Sequence, residues 1–481
     1  MKAALVIGAG VSGLASALRL QSKGYTVTII EKNSFLGGKT SILSLNHTSF
    51  NLTATIPMLF QNFINLFEDI GEDYRDYLTI NNLHTIYKAF FINSAPLEIS
   101  SNLNLLSQNF SNTELKEYLS LLCDAKEKYA LMQNNFLNKK SKITLKKMIS
   151  LIKLRPSLSP YAYFKNNLSN IKLIKALTFQ SMYVGTSPFE APSIFSILPL
   201  INNVNGLVNI EGGVHSFIKA LNTIFIKRGG KYLFNSPVKS FTFKENSCTG
   251  VLLDNDTELT ASLTISSIDF PYTLQNLIPP RLTRKSFPFD CYEKDEMSCS
   301  TFILYLTLNK DISNLNTHNI FINKNFKDSI NSSFSGKIPK NPSLYVYKSS
   351  TNTENINLNI IMRVPNLLYL PDTFWSFENI SKLEEHIIFT LEEFLKLRNI
   401  SSCIVNKRSM TPVHFKNLFN NHAGSCFGIV PNISNLDFLR PQCKIKNLEN
   451  LYFVGDSIHP GSGISTVLTS VKIAINEAIN K

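Results

Sequence analysis

Three glycines near the start of the chain stand at a spacing that serves one kind of chemistry. Gly8, Gly10 and Gly13 form GxGxxG, and Glu31 follows 18 residues after the last of them. In such an arrangement the first glycine makes a tight turn, the second lets backbone approach a pyrophosphate, and the third lets helix pack closely on strand. The first helical N–H groups, at Val11 and Ser12, would face the phosphates, because a helix N-terminus favours anions. Glu31 is placed to accept hydrogen bonds from an adenosine ribose, which argues against a 2′-phosphate there. Glycines alone also punctuate ordinary turns, so the surrounding elements decide. Ala3 to Ile7 reads as a short buried strand, Leu14 to Lys23 as a helix that Gly24 can end, and Thr26 to Ile30 as a second strand delivering Glu31. Every part agrees, and the reading is a dinucleotide site, most simply for FAD.

The run Asn33 to Thr40 ends like the phosphate loop of an ATPase, but Asn33 stands where the first glycine should be. It also follows the second strand of the unit, so nucleotide hydrolysis is rejected. Gly37 and Gly38 let backbone pass close to the cofactor, with Lys39 near its phosphates and Lys32 beside Glu31. A second motif lies at the other end of the chain. Leu451 to Val454 reads as a buried strand running into Gly455-Asp456, followed by His459, Gly461 and Gly463. A helix beginning at Ile464 repeats apolar residues at Val467, Leu468, Val471, Ile475 and Ala478. Its positive end suits the charge of a reduced flavin near N1 and the C2 carbonyl. Asp456 would hold the ribityl or pyrophosphate region; a plain N-cap is the structural alternative. His459 reads more readily as a hydrogen-bonded turn residue than as a base. Val238 completes the candidate cofactor set.

The 481-residue chain, 44% hydrophobic, is long enough for two or three domains with a large core. Its 34 Phe and 17 Tyr supply ring surface for a thick core or an apolar channel. Seven scattered cysteines with no CxxC pair fit a reducing compartment. The eight histidines lack any ligand spacing, so no metal is expected. No apolar stretch is long enough to span a bilayer, and no signal peptide is visible. The net charge of +13 favours an anionic partner, and without nucleic-acid motifs a lipid surface leads. Residues 138–156 hold seven Lys or Arg and no acid, and Leu145, Met148, Ile149 and Ile152 share one helical face. That is the pattern of a helix lying in a membrane interface, although an ordinary solvated helix reads equally well.

The fold class expected is α/β: a Rossmann-type FAD-binding domain with a discontinuous α+β substrate domain and a helical, membrane-facing part. Segments 1–75, 207–280 and 445–481 are assigned to the first, and 76–206 and 281–444 to the second. Residues 76–206 read as mostly helical. Gly250 to Leu253 and Leu259 to Ser266 read as two strands of one small sheet, Thr301 to Leu306 and Ser343 to Tyr347 as strands, and Ser381 to Leu397 as a helix.

Taken together these residues resemble the bacterial-type carotenoid desaturases, the phytoene and dehydrosqualene (4,4′-diapophytoene) desaturase family of amine-oxidase-like flavoproteins. Matching stretches run from Gly185 to Pro199 and include Glu211-Gly-Gly213, Ser298 to Ser300, Thr411-Pro412, Gly424 to Gly428, Arg440-Pro441 and Gly455 to Gly463. Gly71 to Tyr77, Pro342 to Tyr347 and Val467 to Ser470 lean toward the dehydrosqualene branch. The resemblance implies hydride removal from an allylic carbon of a linear C30 or C40 polyisoprenoid to flavin, then proton loss from the neighbouring carbon. It also implies quinone or oxygen as electron acceptor and a peripheral place on the inner face of the cell membrane, with the protein otherwise cytoplasmic. A substrate without polar handles must be selected by tunnel shape, and Phe189, Phe195, Phe415, Phe419 and Phe427 are candidate lining residues. Thr55 joins His459 as a candidate for the chemistry.

The chain departs from the family at Lys39, where arginine is usual, at Asn51-Leu-Thr53-Ala54-Thr55 in place of Asp-x-Gly-Pro-Thr, and at Ser465-Thr466 in place of Pro-Gly. Because fold does not fix chemistry, a carotenoid cis-trans isomerase, a terminal-carbon oxygenase and a catalytically silent flavoprotein partner are the alternatives. An amine oxidase is disfavoured, since no motif would pair with a polar amine.

Overall fold

The computed structural model describes residues 2–137, 150, 154, 157–287, 292–293, 296–349, 355–397 and 399–480. Most of the basic segment 138–156, the one read as membrane-facing, lies outside them. Two sheets organise the remainder, and they differ in how their faces are used.

The first is a five-stranded parallel sheet. Its strands, in spatial order, are Leu451–Phe453, Leu263–Ser266, Lys2–Ile7, Tyr25–Ile30 and Lys231–Leu233. Ala4 to Ile7 is a continuous apolar run because this central strand is covered on both faces. The helices Val11–Gln21, His215–Lys227 and Ile464–Ile479 supply part of that cover. The chain therefore returns to this sheet from three separate stretches of sequence.

The second is a seven-stranded mixed sheet, in the order Ile404–Met410, Ser300–Leu308, Ile356–Val364, Leu344–Ser349, His318–Ile322, Thr85–Phe91 and Ser94–Ser100. Side chains alternate across it with period two. Phe302, Leu304, Val346, Ile360, Met362 and Phe321 face the helix Phe377–Leu395, meeting its Leu383, Ile387 and Leu391. On the opposite face the register aligns Ala89, Ile320, Tyr345, Ile361, Ile303 and Met410 in one row. The neighbouring row holds His318, Tyr347, Asn359 and Tyr305.

Residues 76–206 are mostly helical as expected but carry strands the sequence reading lacked, and one other expectation is corrected. Residues 76–206 open with strands: Thr85–Phe91 and Ser94–Ser100 form a hairpin turning at Asn93, whose φ of 56° suits asparagine. The aromatic and β-branched content of that stretch outweighs its helix-like spacing, and it joins the large sheet. The run Leu259 to Ser266 is two strands in two sheets. Ala261 N–H still donates to Thr249 C=O, whereas Ser262 N–H donates to Ala3 C=O, so the pairing partner changes between adjacent residues. Glu258–Thr260 stays in the small antiparallel sheet, and Leu263–Ser266 enters the core one.

Candidate functional site

A long cavity separates the C-terminal ends of the parallel sheet from the open face of the large one; its space, open solvent at the mouth included, is about 2080 Å³. Such a position, at the carboxyl ends of parallel strands, is where doubly wound sheets bind ligands.

The nucleotide end is built as the glycine spacing requires. Gly8 has φ 99°, and its N–H donates to Ile30 C=O at 2.8 Å. A Cβ on Gly13 would stand 1.8 Å from the Gly8 carbonyl oxygen, so this residue serves helix-on-strand packing and does not itself line the cavity. Gly10 and Gly455 do line it, and a Cβ on either would meet nothing within 4 Å on the protein side. Glu31 is buried; one carboxylate oxygen accepts from Ala9 N–H at 2.8 Å and the other from Asn33 N–H and the Asn33 side chain, each at 2.9 Å. Val11, Ser12, Lys32, Gly38, Lys39, Val238, Asp456, Gly463 and Ile464 also line the wall, with the N-terminus of the Ile464–Ile479 helix opening onto it. Open space beside two glycines, a buried ribose acceptor and two helix N-termini fit FAD.

Charges gather in the middle of this wall. Lys39 Nζ is paired with Asp456 and also donates to Cys426 C=O at 3.1 Å, so the ammonium read as a phosphate partner is already held by a carboxylate. Burial lowers its pKa, but Asp456, Cys426 and Asp269 outweigh that and the net direction is up. Asp269 accepts from Ser457 Oγ at 2.9 Å and His422 N–H at 3.0 Å. Burial, with Asp456 nearby, pushes its carboxyl up to about 6. Arg440 reaches Asp456 C=O at 2.6 Å and Ile429 C=O at 3.2 Å, and burial lowers it to about 10, so it stays charged at neutral pH.

The facing wall is different in kind. Thr301, Ile303, Tyr345, Ile361 and Arg363 come from the large sheet, Tyr183, Val184, Leu198 and Phe419 from helical segments, and Phe427 from a loop. The Arg363 guanidinium lies 4.6 Å from the centre of the Phe427 ring. Gly185 makes room for that ring, since a Cβ there would meet Phe427 Cβ at 2.6 Å. Thr55 lines the cavity too, with its hydroxyl 2.9 Å from Tyr345 OH, and His318 Nδ1 is 2.8 Å from the same oxygen.

The segment that departs from the family fits without strain. None of Thr53, Ala54 and Thr55 has positive φ, and Thr53 Oγ1 donates to Lys39 C=O at 2.7 Å. Asn51 is accommodated because Gly213 offers no side chain; a Cβ there would stand 2.5 Å from Asn51 Oδ1.

Three of the five phenylalanines read as tunnel lining stand elsewhere. Phe415 is fully buried against Ile303, Tyr305 and Met410; Phe189 packs on Tyr161 and Phe326; Phe195 packs with Met132, Ile194 and Ile197. Aromatic residues fill cores before they line channels, and composition cannot separate the two roles. His459 is buried outside the cavity wall, its N–H donating to Pro441 C=O at 2.8 Å, which makes it an anchor of the turn. Sequence reading missed Tyr183, Asp269, Tyr345 and Arg363. Asp269 had a usable signal, standing three residues beyond the end of a parallel strand, and Tyr345 and Tyr347 alternate on an antiparallel one.

The profile of the family described as flavin containing amine oxidoreductase matches residues 11–474. The chain belongs to that family. Within these flavin oxidoreductases it falls among the carotenoid desaturases and is an FAD-dependent enzyme. It is 31% identical to the 4,4′-diapophytoene desaturase (4,4′-diaponeurosporene-forming) of Staphylococcus haemolyticus over 490 residues, 97% of each chain. It is 29% identical to the protein of that name from Staphylococcus aureus strain Newman, over 98% of each. Putrescine oxidase bound to putrescine shares the fold at a TM-score of 0.66 and 14% identity, covering 100% of this chain and 98% of that one. Cyclohexylamine oxidase from Brevibacterium oxydans does so at 0.62 and 12%, covering 100% of both. Among the described residues no helix is long and apolar enough to cross a membrane.

Proposed function

We propose that the chain desaturates 4,4′-diapophytoene, removing hydrogen from its saturated allylic positions to lengthen the conjugated polyene. The observation that carries this reading is the cavity itself: a charged, glycine-lined dinucleotide groove continues without a break into a wall of Ile303, Ile361, Tyr183, Tyr345 and Phe427. Full-length relatives named for that reaction support it. When bound, FAD supplies a two-electron acceptor for the hydride.

The protein's own residues do the rest. Gly10, Gly38 and Gly455 let the cofactor approach the backbone, and Glu31 fixes the adenosine end. The Gly463–Ile464 helix start opens its positive end onto the cavity and would stabilise negative charge on a reduced cofactor bound there. Lys39 and Asp456 hold each other and so fix the middle of the cleft, where they would flank the bound cofactor. The apolar wall orients a chain that offers no hydrogen bonds and keeps water from a carbocation it would quench.

The substrate is an oil, so it is drawn from a bilayer by a protein docked on the inner membrane surface, and the electrons leave to quinone or oxygen. Two features support docking. Residues 138–156 are strongly basic. At their described edges Leu436 packs with Met132, Phe136 and Leu154 between the exposed Ile433 and Leu439. An apolar knob beside a basic segment suits an anionic lipid surface.

The test is the visible spectrum of pigment from hosts that accumulate 4,4′-diapophytoene or phytoene and express the chain. New polyene bands in the first host support the reading, and bands only in the second move it to the longer substrate. Colourless precursor in both, with flavin-loaded protein present, overturns it. A changed isomer without longer conjugation would indicate an isomerase.

A further inference from the structure

Desaturation requires two hydrogens to leave: one as hydride, for which the cofactor is the acceptor, and one as a proton, for which the reading above assigns none. The described acids lining the cavity, Glu31, Asp269 and Asp456, all stand on the nucleotide wall. Each is already bound: Glu31 to backbone N–H groups, Asp269 to Ser457 and His422, Asp456 to Lys39. On the hydrocarbon wall the charged side chain is Arg363, which cannot accept a proton.

Tyr345 is different. Its hydroxyl sits between His318 Nδ1 at 2.8 Å and Thr55 Oγ1 at 2.9 Å, and both Tyr345 and Thr55 reach the cavity. His318 is 2% exposed on the adjoining strand, ringed by Tyr87, Tyr345 and Tyr347 with ring centres 5.5 to 6.1 Å away. With Nδ1 as acceptor, Tyr345 donates to His318 and Thr55 donates to the Tyr345 oxygen. That leaves the phenolic oxygen a lone pair for an incoming proton.

We propose that Tyr345 is the catalytic proton acceptor of the desaturation, and that His318 is the positioning residue that takes the phenolic proton in the same event. The inference rests on the desaturase reading. As the hydride departs with its electron pair, the neighbouring C–H bond breaks; its electrons become the new π bond, and its proton passes to the Tyr345 oxygen. The original phenolic proton moves to His318 Nδ1, giving an imidazolium and no net charge on tyrosine. When product leaves, the proton returns along the same path to water in the cavity. Burial pushes His318 down to about 3, which keeps the ring neutral and ready at any physiological pH. So weak a base suffices, because a proton beside an allylic cation is far more acidic than an imidazolium. Thr55 fixes the lone-pair direction.

The test uses flavin-loaded enzyme in lipid vesicles, with 4,4′-diapophytoene carrying deuterium at the proton-losing carbon. Tyr345→Phe should lower turnover at least about a hundredfold, the usual worth of a general base. Flavin content and substrate dissociation constant should hold, and an isotope effect at that carbon should rise from near unity to several-fold as proton loss becomes limiting. His318→Gln should fall by less, with the same isotope signature, and Phe189→Leu, packed on Tyr161 and Phe326 outside the cavity, should match wild type. Independently of turnover, histidine NMR of flavin-free protein should show His318 neutral with Nδ1 accepting, and Tyr345→Phe should erase that signature. Turnover in Tyr345→Phe within twofold of wild type, or a fall without the isotope change in both variants, overturns the assignment. Wild-type enzyme inert on the unlabelled substrate would instead sink the desaturase reading, and this proposal with it.

Discussion

The two walls of the cavity are made of opposite materials. The nucleotide wall is backbone and charge: glycines that leave space, helix N-termini, and the carboxylates Glu31, Asp269 and Asp456 set against Lys32 and Lys39. The hydrocarbon wall is side chain and ring, with Arg363 its charged group among the described residues, and that cation rests on Phe427. The contrast shows how one cleft can seat a charged cofactor and an oil together. What faces the space on each side therefore matches the guest it would hold.

The largest effects should come from breaking the nucleotide wall. Gly13→Ala forces a Cβ to within 1.8 Å of the Gly8 carbonyl, and overpacking against backbone should cost about 3 kcal/mol, seen as a lowered melting midpoint and lost flavin. Gly10→Ala meets open space instead. It should melt near wild type yet lose flavin, which a ratio of bound flavin to protein would report.

Acid should drive the walls in opposite directions. His318 has its pKa depressed to about 3, so unfolded chains take up a proton before native ones do. Its contribution is complete above about 6.5 and falls by about 1.4 kcal/mol per pH unit below that, until about 3. Asp269, raised to about 6, contributes stability that is complete below about 3.8 and is lost as pH rises through 6. Denaturation series between pH 6 and 4 should therefore show a shallower acid loss in His318→Gln than in wild type, and a steeper one in Asp269→Asn.

Lys39→Met leaves Asp456 unpaired beside the cofactor groove. The two side chains are 26% and 20% exposed, so the loss should lie between surface and buried values, about 1–2 kcal/mol. FAD should bind about tenfold more weakly by titration of the flavin-free protein, since 1.4 kcal/mol is a factor of ten, with recovery in Lys39→Arg. The smallest effects sharpen the other wall. Phe427→Ala should change the ratio of polyene products by widening the channel. Phe189→Ala, outside the cavity, should cost about 1 kcal/mol and leave the product spectrum as it was.

The nucleotide wall was legible in sequence because its constraints are local. Gly8, Gly10, Gly13 and Glu31 fall within one strand-helix-strand unit, and Gly455 to Ile464 within a strand and the start of one helix. The hydrocarbon wall was hardly legible, because it is made by register. Tyr345 meets Ile303 only through Ile361 on the strand between them. Thr55 and His318, 263 positions apart, share one hydroxyl. Nothing in the local pattern distinguishes Phe427, in the cavity, from Phe415, in the core. The large sheet's two N-terminal strands were missed for a related reason: Thr85–Phe91 joins the sheet through His318–Ile322, more than two hundred residues downstream, and carries its hairpin partner Ser94–Ser100 with it.

The central claim is that this cleft removes hydrogen from a linear polyene precursor. Its most direct measurement mixes flavin-loaded protein with 4,4′-diapophytoene in vesicles without oxygen and follows the spectrum. The oxidised-flavin band should bleach as longer-wavelength polyene bands appear, one new double bond per flavin reduced. A flavin band that stays intact beside unchanged precursor would contradict it.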